Sequence, residues 1–169
     1  MNEGVLLARG VVGLLMGAHG AQKLFGWFGG YGLDGTGQFF EALGFRPGRF
    51  FAGVAAASEV ASGVLLSVGL FSPFAAALML SVMIVAAVSV HWQHGVFATS
   101  NGIEVPLLYG TVAAALALTG PGRYSLDALF GLTALWTPAL VSTALAIGII
   151  GGVANLAIRR ASLRETVTT

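Results

Sequence analysis

A chain of 169 residues that is 56% hydrophobic and only 9% charged, with a mean hydropathy of +0.87, lacks the composition of a soluble domain, of which about one-quarter is charged. A water-soluble domain of about 150 residues still exposes roughly 30% of its unfolded-chain surface, so the solvent for this chain is expected to be lipid. The net charge of +1, with no basic stripe interleaved with aromatics, speaks against a nucleic-acid partner, and the absence of cysteine excludes thiol exchange, Fe–S ligation and thiolate metal sites.

The first four residues carry no basic n-region, and no small-residue cleavage site follows the first apolar run. That run therefore reads as a retained span rather than a removed signal. A helical crossing needs about 20 apolar residues, and on that basis spans are predicted at residues 5–28, 50–70, 74–92, 103–119 and 133–158. The long connection 29–49 carries Phe39, Phe40 and Leu43 at helical spacing behind Thr36 as N-cap, with Gly44 and Pro47 as stop signals. It predicts a short helix over 36–43 that lies in the interface or dips back into the bundle. Residues 71–73 read as a tight turn that makes spans two and three antiparallel neighbours. The fourth span is the shortest, and Pro138 marks either the first turn of the fifth or a kink. The expected fold is thus an all-α membrane protein, with a basic tail at 159–169.

With the tail placed inside, Lys23, Arg46, Arg49, Arg159, Arg160 and Arg164 fall on the inner side and only Arg9 and Arg123 on the outer. The positive-inside bias therefore predicts an outer N-terminus and a cytoplasmic C-terminus.

Glu59 is the informative residue. It sits inside span two with no other charge between Phe50 and Leu70, at a depth where a carboxylate costs about 2.5–3.5 kcal/mol on insertion scales, so it must face the protein and be paired or protonated there. The predicted topology brings His19, Lys23, His91, His94 and Glu104 toward the same leaflet, with Arg9 above them toward the outside. At about 100° per residue, Arg9, His19 and Lys23 share an arc of roughly 80° on span one. Beside it runs a stripe of Gly10, Gly13, Gly17 and Gly20, spaced for close helix approach. The candidate binding set is Arg9, His19, Lys23, Glu59, His91 and Glu104, with Glu59, His91 and Glu104 handling protons.

Each of these residues has a plainer reading. Glu59 can be an ion-pair partner of Arg9, His19 or Lys23 that only fixes packing, and Lys23 and Arg46 can be topology anchors. His19, His91, His94 and Glu104 offer ligands of a kind that suits Zn, Fe or Cu, but they follow no recognised ligand motif and Lys23 would repel a cation; no metal is expected. Trp27, Trp92 and Trp136 read as interface-belt residues, and Gly148, Gly151 and Gly152 as packing positions in span five.

Arg9, the run Gly17-Ala18-His19-Gly20-Ala21-Gln22-Lys23, Phe39-Phe40-Glu41-Ala42-Leu43-Gly44, Glu59 with Gly63, His91, Glu104-Val105-Pro106 and Gly120-Pro121-Gly122-Arg123-Tyr124-Ser125-Leu126-Asp127 together resemble the DoxX family of small bacterial membrane proteins. The resemblance covers roughly residues 4–130. It implies a four-helix transmembrane core over that stretch in a bacterial cytoplasmic membrane, to which residues 131–158 add a fifth helix. Some relatives are described as subunits of quinone-reducing sulfur oxidoreductases or parts of membrane redox complexes, whereas a fold shared with them does not by itself assign an activity.

Two functional classes follow. In one, the polar cluster binds a quinone or similar amphipathic molecule, and an imidazole and a carboxylate relay protons. No dinucleotide motif and no covalently bound cofactor is expected, so electrons would come from a soluble or membrane redox partner. In the other, the protein is a non-catalytic membrane scaffold, or a binding protein for a lipid or small solute, and its charges are structural. Whether the chain is itself an enzyme, and whether it self-associates, stay open at this point.

Overall fold

The computed structural model describes residues 1–168, with side chains through Leu163; Thr169 and the Arg164 side chain of the expected tail lie outside the described residues. Among the described residues seven α-helices follow one another: α1 (Asn2–Phe25), α2 (Gly32–Ala42), α3 (Gly48–Val68), α4 (Ser72–Ala86), α5 (Glu104–Thr119), α6 (Leu126–Leu129) and α7 (Pro138–Thr168). Four helical stretches, 2–25, 48–68, 72–94 and 138–163, are long and apolar enough to cross a membrane, and α5 is a shorter apolar helix of 16 residues. Leu7, Leu14, Leu118, Ile147 and Ile150 point outward from these helices and are exposed, as a lipid-facing surface requires. The chain is a multi-span membrane protein.

Local sequence explains where these helices stop. α1 ends at Gly26, which adopts the left-handed conformation (φ 73°) that glycine reaches without a Cβ penalty. The span predicted to reach Phe28 is therefore three residues shorter, and Trp27 and Phe28 lie in a 3₁₀ turn instead. α3 ends in the same way at Gly69, and Pro73 opens the first turn of α4, where its missing N–H costs nothing. The interfacial helix starts at Gly32, four residues before Thr36. Thr36 is buried inside it and is not its cap, because the chain has already folded back at Gly30 against the backbone of Gln22.

α1 and α3 make the most extensive contact, and it is built from small residues. A Cβ on Gly13 or Gly20 would strike backbone atoms of α3, and one on Gly63 would strike Gly13 and Gly17. Gly10, by contrast, faces open space, so the glycine stripe packs over only part of its length. α4 is the central helix, touching α3, α5 and α7, and its Ala75, Ala76, Met79 and Met83 pack with Met16, Leu66, Ala113, Leu116 and Val141 in the core. Gly148 and Gly152 seat α7 against Ala77, Ser81 and Ile84.

α7 does not give way to a separate tail at residue 159; it continues as helix, because Arg159 is anchored. Its Nε donates to the Leu43 carbonyl at 2.6 Å and its guanidinium lies 6.0 Å from the Phe45 ring centroid. A charged hydrogen bond contributes about 1.5–3 kcal/mol and an exposed cation–π contact about 0.5–1 kcal/mol. Arg159→Ala is therefore expected to lower the melting temperature in detergent measurably, and Arg159→Lys should recover only part of the loss.

Candidate functional site

The pairing of Glu59 is resolved by the close approach of α1 and α3. Lys23, in the last turn of α1, donates to both carboxylate oxygens of Glu59, at 2.9 and 2.6 Å. Glu59 is 3% exposed, so the cost of burying its charge is offset within the protein by a cation reaching over from the neighbouring helix.

This ion pair stands between two cavities. The larger, of about 390 Å³, is walled by Phe39, Phe40, Phe45 and Phe51, with Lys23, Glu59, Ser58, Ser89, His91 and Asn155 supplying its polar atoms. The smaller, of about 110 Å³, is bounded by the same Lys23, Glu59 and His91 together with His19 and Tyr109. An apolar, aromatic space with a few convergent polar groups on one wall is the usual form of a small-molecule site.

His91 reaches both cavities through an irregularity in the backbone. α4 widens into a π-helical turn over Ala87–His91 before a 3₁₀ turn at Trp92–His94, a distortion that recurs at functional sites. Its Nδ1 donates to the Asn101 carbonyl at 2.8 Å, which in the neutral ring leaves Nε2 as an acceptor. His94 is turned elsewhere, with Nδ1 donating to the Val90 carbonyl at 3.0 Å. His19 meets Gln22 Oε1 at 3.1 Å and sets its ring edge-on to Tyr109, with centroids 5.9 Å apart.

Four of the six expected binding residues, His19, Lys23, Glu59 and His91, therefore meet. Two do not. Glu104 lines neither cavity; its carboxylate accepts the Ala98 N–H at 2.7 Å and closes the loop before α5. Arg9 lies near the far end of α1, because 14 residues of helix separate it from Lys23 by about 21 Å. There it is 2% exposed and donates to the carbonyls of Leu66 (3.3 Å), Ser67 and Tyr124. The expected depth of Arg9, above the cluster, is the one the structure gives, and a shared arc with Lys23 does not bring the two together along the axis.

The sequence reading missed the phenylalanine wall, Tyr109, Ser89 and Asn155. Asn155 did leave a signal, as the only amide side chain between residues 138 and 158. The aromatic wall left only the helical spacing of Phe39 and Phe40, since these residues on α2 meet Phe51 on α3 only after the connection folds back. Among the described residues, no group of three or more His, Asp or Glu side chains is placed to hold a metal ion.

Fold and site together define a small helical membrane protein with a buried lysine–glutamate pair on the wall of an aromatic cavity. The family model for DoxX matches residues 4–92, just over half of the chain, and the chain belongs to the DoxX family. The matched stretch contains α1 to α4, and so Lys23, Glu59 and His91, while α5 and α7 lie beyond it. No curated protein and no solved structure matches the chain.

Proposed function

We propose that the protein is the integral membrane subunit of a redox complex and that its 390 Å³ cavity binds a quinone-like amphipathic molecule. The observation that carries this reading is the Lys23–Glu59 pair set into an otherwise aromatic and apolar wall, with His91 beside it. The phenylalanine rings suit a flat ring and its chain. Lys23 Nζ is a hydrogen-bond donor for a carbonyl oxygen, and His91 and Glu59 can carry protons. Reduction of a quinone to its quinol takes two electrons and two protons. In this proposal a soluble or membrane redox partner supplies the electrons, and the smaller cavity, large enough for a few waters at about 30 Å³ each, brings the protons to Glu59.

The family resemblance favours a bacterial cytoplasmic membrane as the location, and the basic residues favour an orientation with the N-terminus outside and Lys23, Arg159 and Arg160 toward the cytoplasm. The partner would then dock on the cytoplasmic face.

Purified protein is expected to carry an extractable quinone and to recover with a stoichiometric oxidoreductase. Glu59→Gln should reduce quinone-linked turnover of that complex by roughly 100-fold, the low end of what a positioned proton-transfer group contributes. Protein free of quinone, together with a Glu59→Gln variant of unchanged turnover, overturns the proposal. A second reading is favoured by one observation: Lys23 already occupies both oxygens of Glu59, so the pair is satisfied without any ligand. In that case the chain is a scaffold or a lipid- or solute-binding protein, and the double change Lys23→Met with Glu59→Leu would keep both stability and partner recovery.

A further inference from the structure

At the end of the bundle opposite Lys23, the first turn of α4, the last turn of α5, the 120–123 loop and the start of α7 enclose a separate cavity of about 520 Å³. None of the residues lining it is acidic. What they present instead is donors: the hydroxyls of Ser72, Thr133 and Ser142, the indole of Trp136 and the guanidinium of Arg123.

Two of these donors are buried without a partner. Ser72 is 3% exposed and its Oγ makes no hydrogen bond, and the Nε1 of Trp136 makes none either. Buried polar groups are almost always satisfied, and an indole N–H can be satisfied only by an acceptor. The nearby acid does not serve them: the oxygens of Asp127 accept from the N–H groups of Phe71 at 2.8 Å and Ser72 at 3.0 Å and from neither orphaned donor. Arg123 is exposed, lies 6.0 Å from the Tyr124 ring centroid and forms no ion pair among the described residues. The site thus offers an exposed cation, unpaired buried donors and an apolar side formed by Leu118 and Val141, beside the starts of α4 and α7 and the end of α5.

We propose that this cavity binds a phosphate-type oxyanion, either the headgroup of an anionic phospholipid or a free phosphate. Arg123 pairs with the charge, Trp136 and Ser72 donate to the oxygens after a small side-chain adjustment, and the Leu118 side accepts the start of an acyl chain when there is one. Nothing in this assignment depends on the quinone reading.

The test is native mass spectrometry of the full-length protein in detergent, with phosphatidylglycerol, phosphatidylcholine or inorganic phosphate added. One phosphatidylglycerol retained per chain in preference to phosphatidylcholine, and not displaced by phosphate, identifies the lipid. Retained phosphate that prevents lipid binding identifies the free anion. Arg123→Ala and Trp136→Phe should each weaken the retained species about tenfold or more, as expected for losing a hydrogen bond to a charged group. Trp136→Phe keeps a ring against Phe71 and Phe74, and both variants should melt within a few degrees of the parent, so lost binding is distinguishable from lost fold. Equal retention of both lipids with no phosphate bound, or unchanged retention in both variants, overturns the proposal.

Discussion

Asp127→Ala is expected to destabilise the protein by about 2–6 kcal/mol, since each of two buried N–H groups left without an acceptor costs about 1–3 kcal/mol. Asp127 is fully buried, and its carboxylate caps the N-terminus of α4 by accepting the backbone N–H groups of Phe71 and Ser72, where the helix dipole also favours negative charge. Phe71 adopts a left-handed conformation with φ 49°, unfavourable for a bulky residue, and the bond from its N–H to Asp127 holds it there. The same carboxylate acts electrostatically on Arg9, so the alanine variant leaves two N–H groups without their acceptor and removes a favourable charge near Arg9, whose carbonyl partners remain. Thermal unfolding in detergent measures the loss. In a double-mutant cycle, Arg9→Met combined with Asp127→Ala should cost less than the two single changes added together; strict additivity would show that Arg9 and Asp127 act independently.

Gly63→Leu is expected to separate α1 from α3. Even a Cβ at this position would meet the Gly13 carbonyl oxygen and the Gly17 backbone, which, unlike a flexible side chain, cannot swing aside. Overpacking typically costs about 1–3 kcal/mol and occasionally more, and a backbone-to-backbone clash belongs at the upper end. Because Lys23 and Glu59 sit on these two helices, the variant should also lose the ion pair. The readouts are monodispersity on size exclusion and melting temperature. Gly10→Ala is the internal contrast: its Cβ has open space, so it should be neutral or stabilising by roughly 0.5–1 kcal/mol through helix propensity. A tolerated Gly63→Leu would mean that the two helices are not held by close approach.

Hydrophobic length made four of the five expected spans legible, the fourth in chain order being a shorter apolar helix, and a carboxylate at the depth of Glu59 pointed to a partner inside the protein without choosing among Arg9, His19 and Lys23. The arrangement of the remaining polar groups was less so. Arg9 and Asp127 lie 118 positions apart in the chain and act together only because the 120–127 segment returns over the end of α1, a route that no local pattern encodes. The register of His91 depends on a π turn, which shifts a side chain around the helix without leaving a mark in the spacing of apolar residues. Glu104 read as a site acid from its depth alone, whereas a backbone N–H of its own loop had the stronger claim on it.

The unequal lengths of α5 and α7 have a consequence for the surrounding bilayer. At 1.5 Å per residue, α5 with 16 residues is about 24 Å long and α7 with 31 about 46 Å, against a hydrocarbon thickness of about 30 Å. Lipids beside α5 must compress or α5 must sink, at a fraction of a kcal/mol per Å of mismatch, whereas the apolar part of α7, residues 138–158, covers about 32 Å and only its arginine-bearing end runs on past the hydrocarbon. The bilayer is therefore thinned on the α5 side alone, and the protein should partition toward membranes of shorter acyl chains.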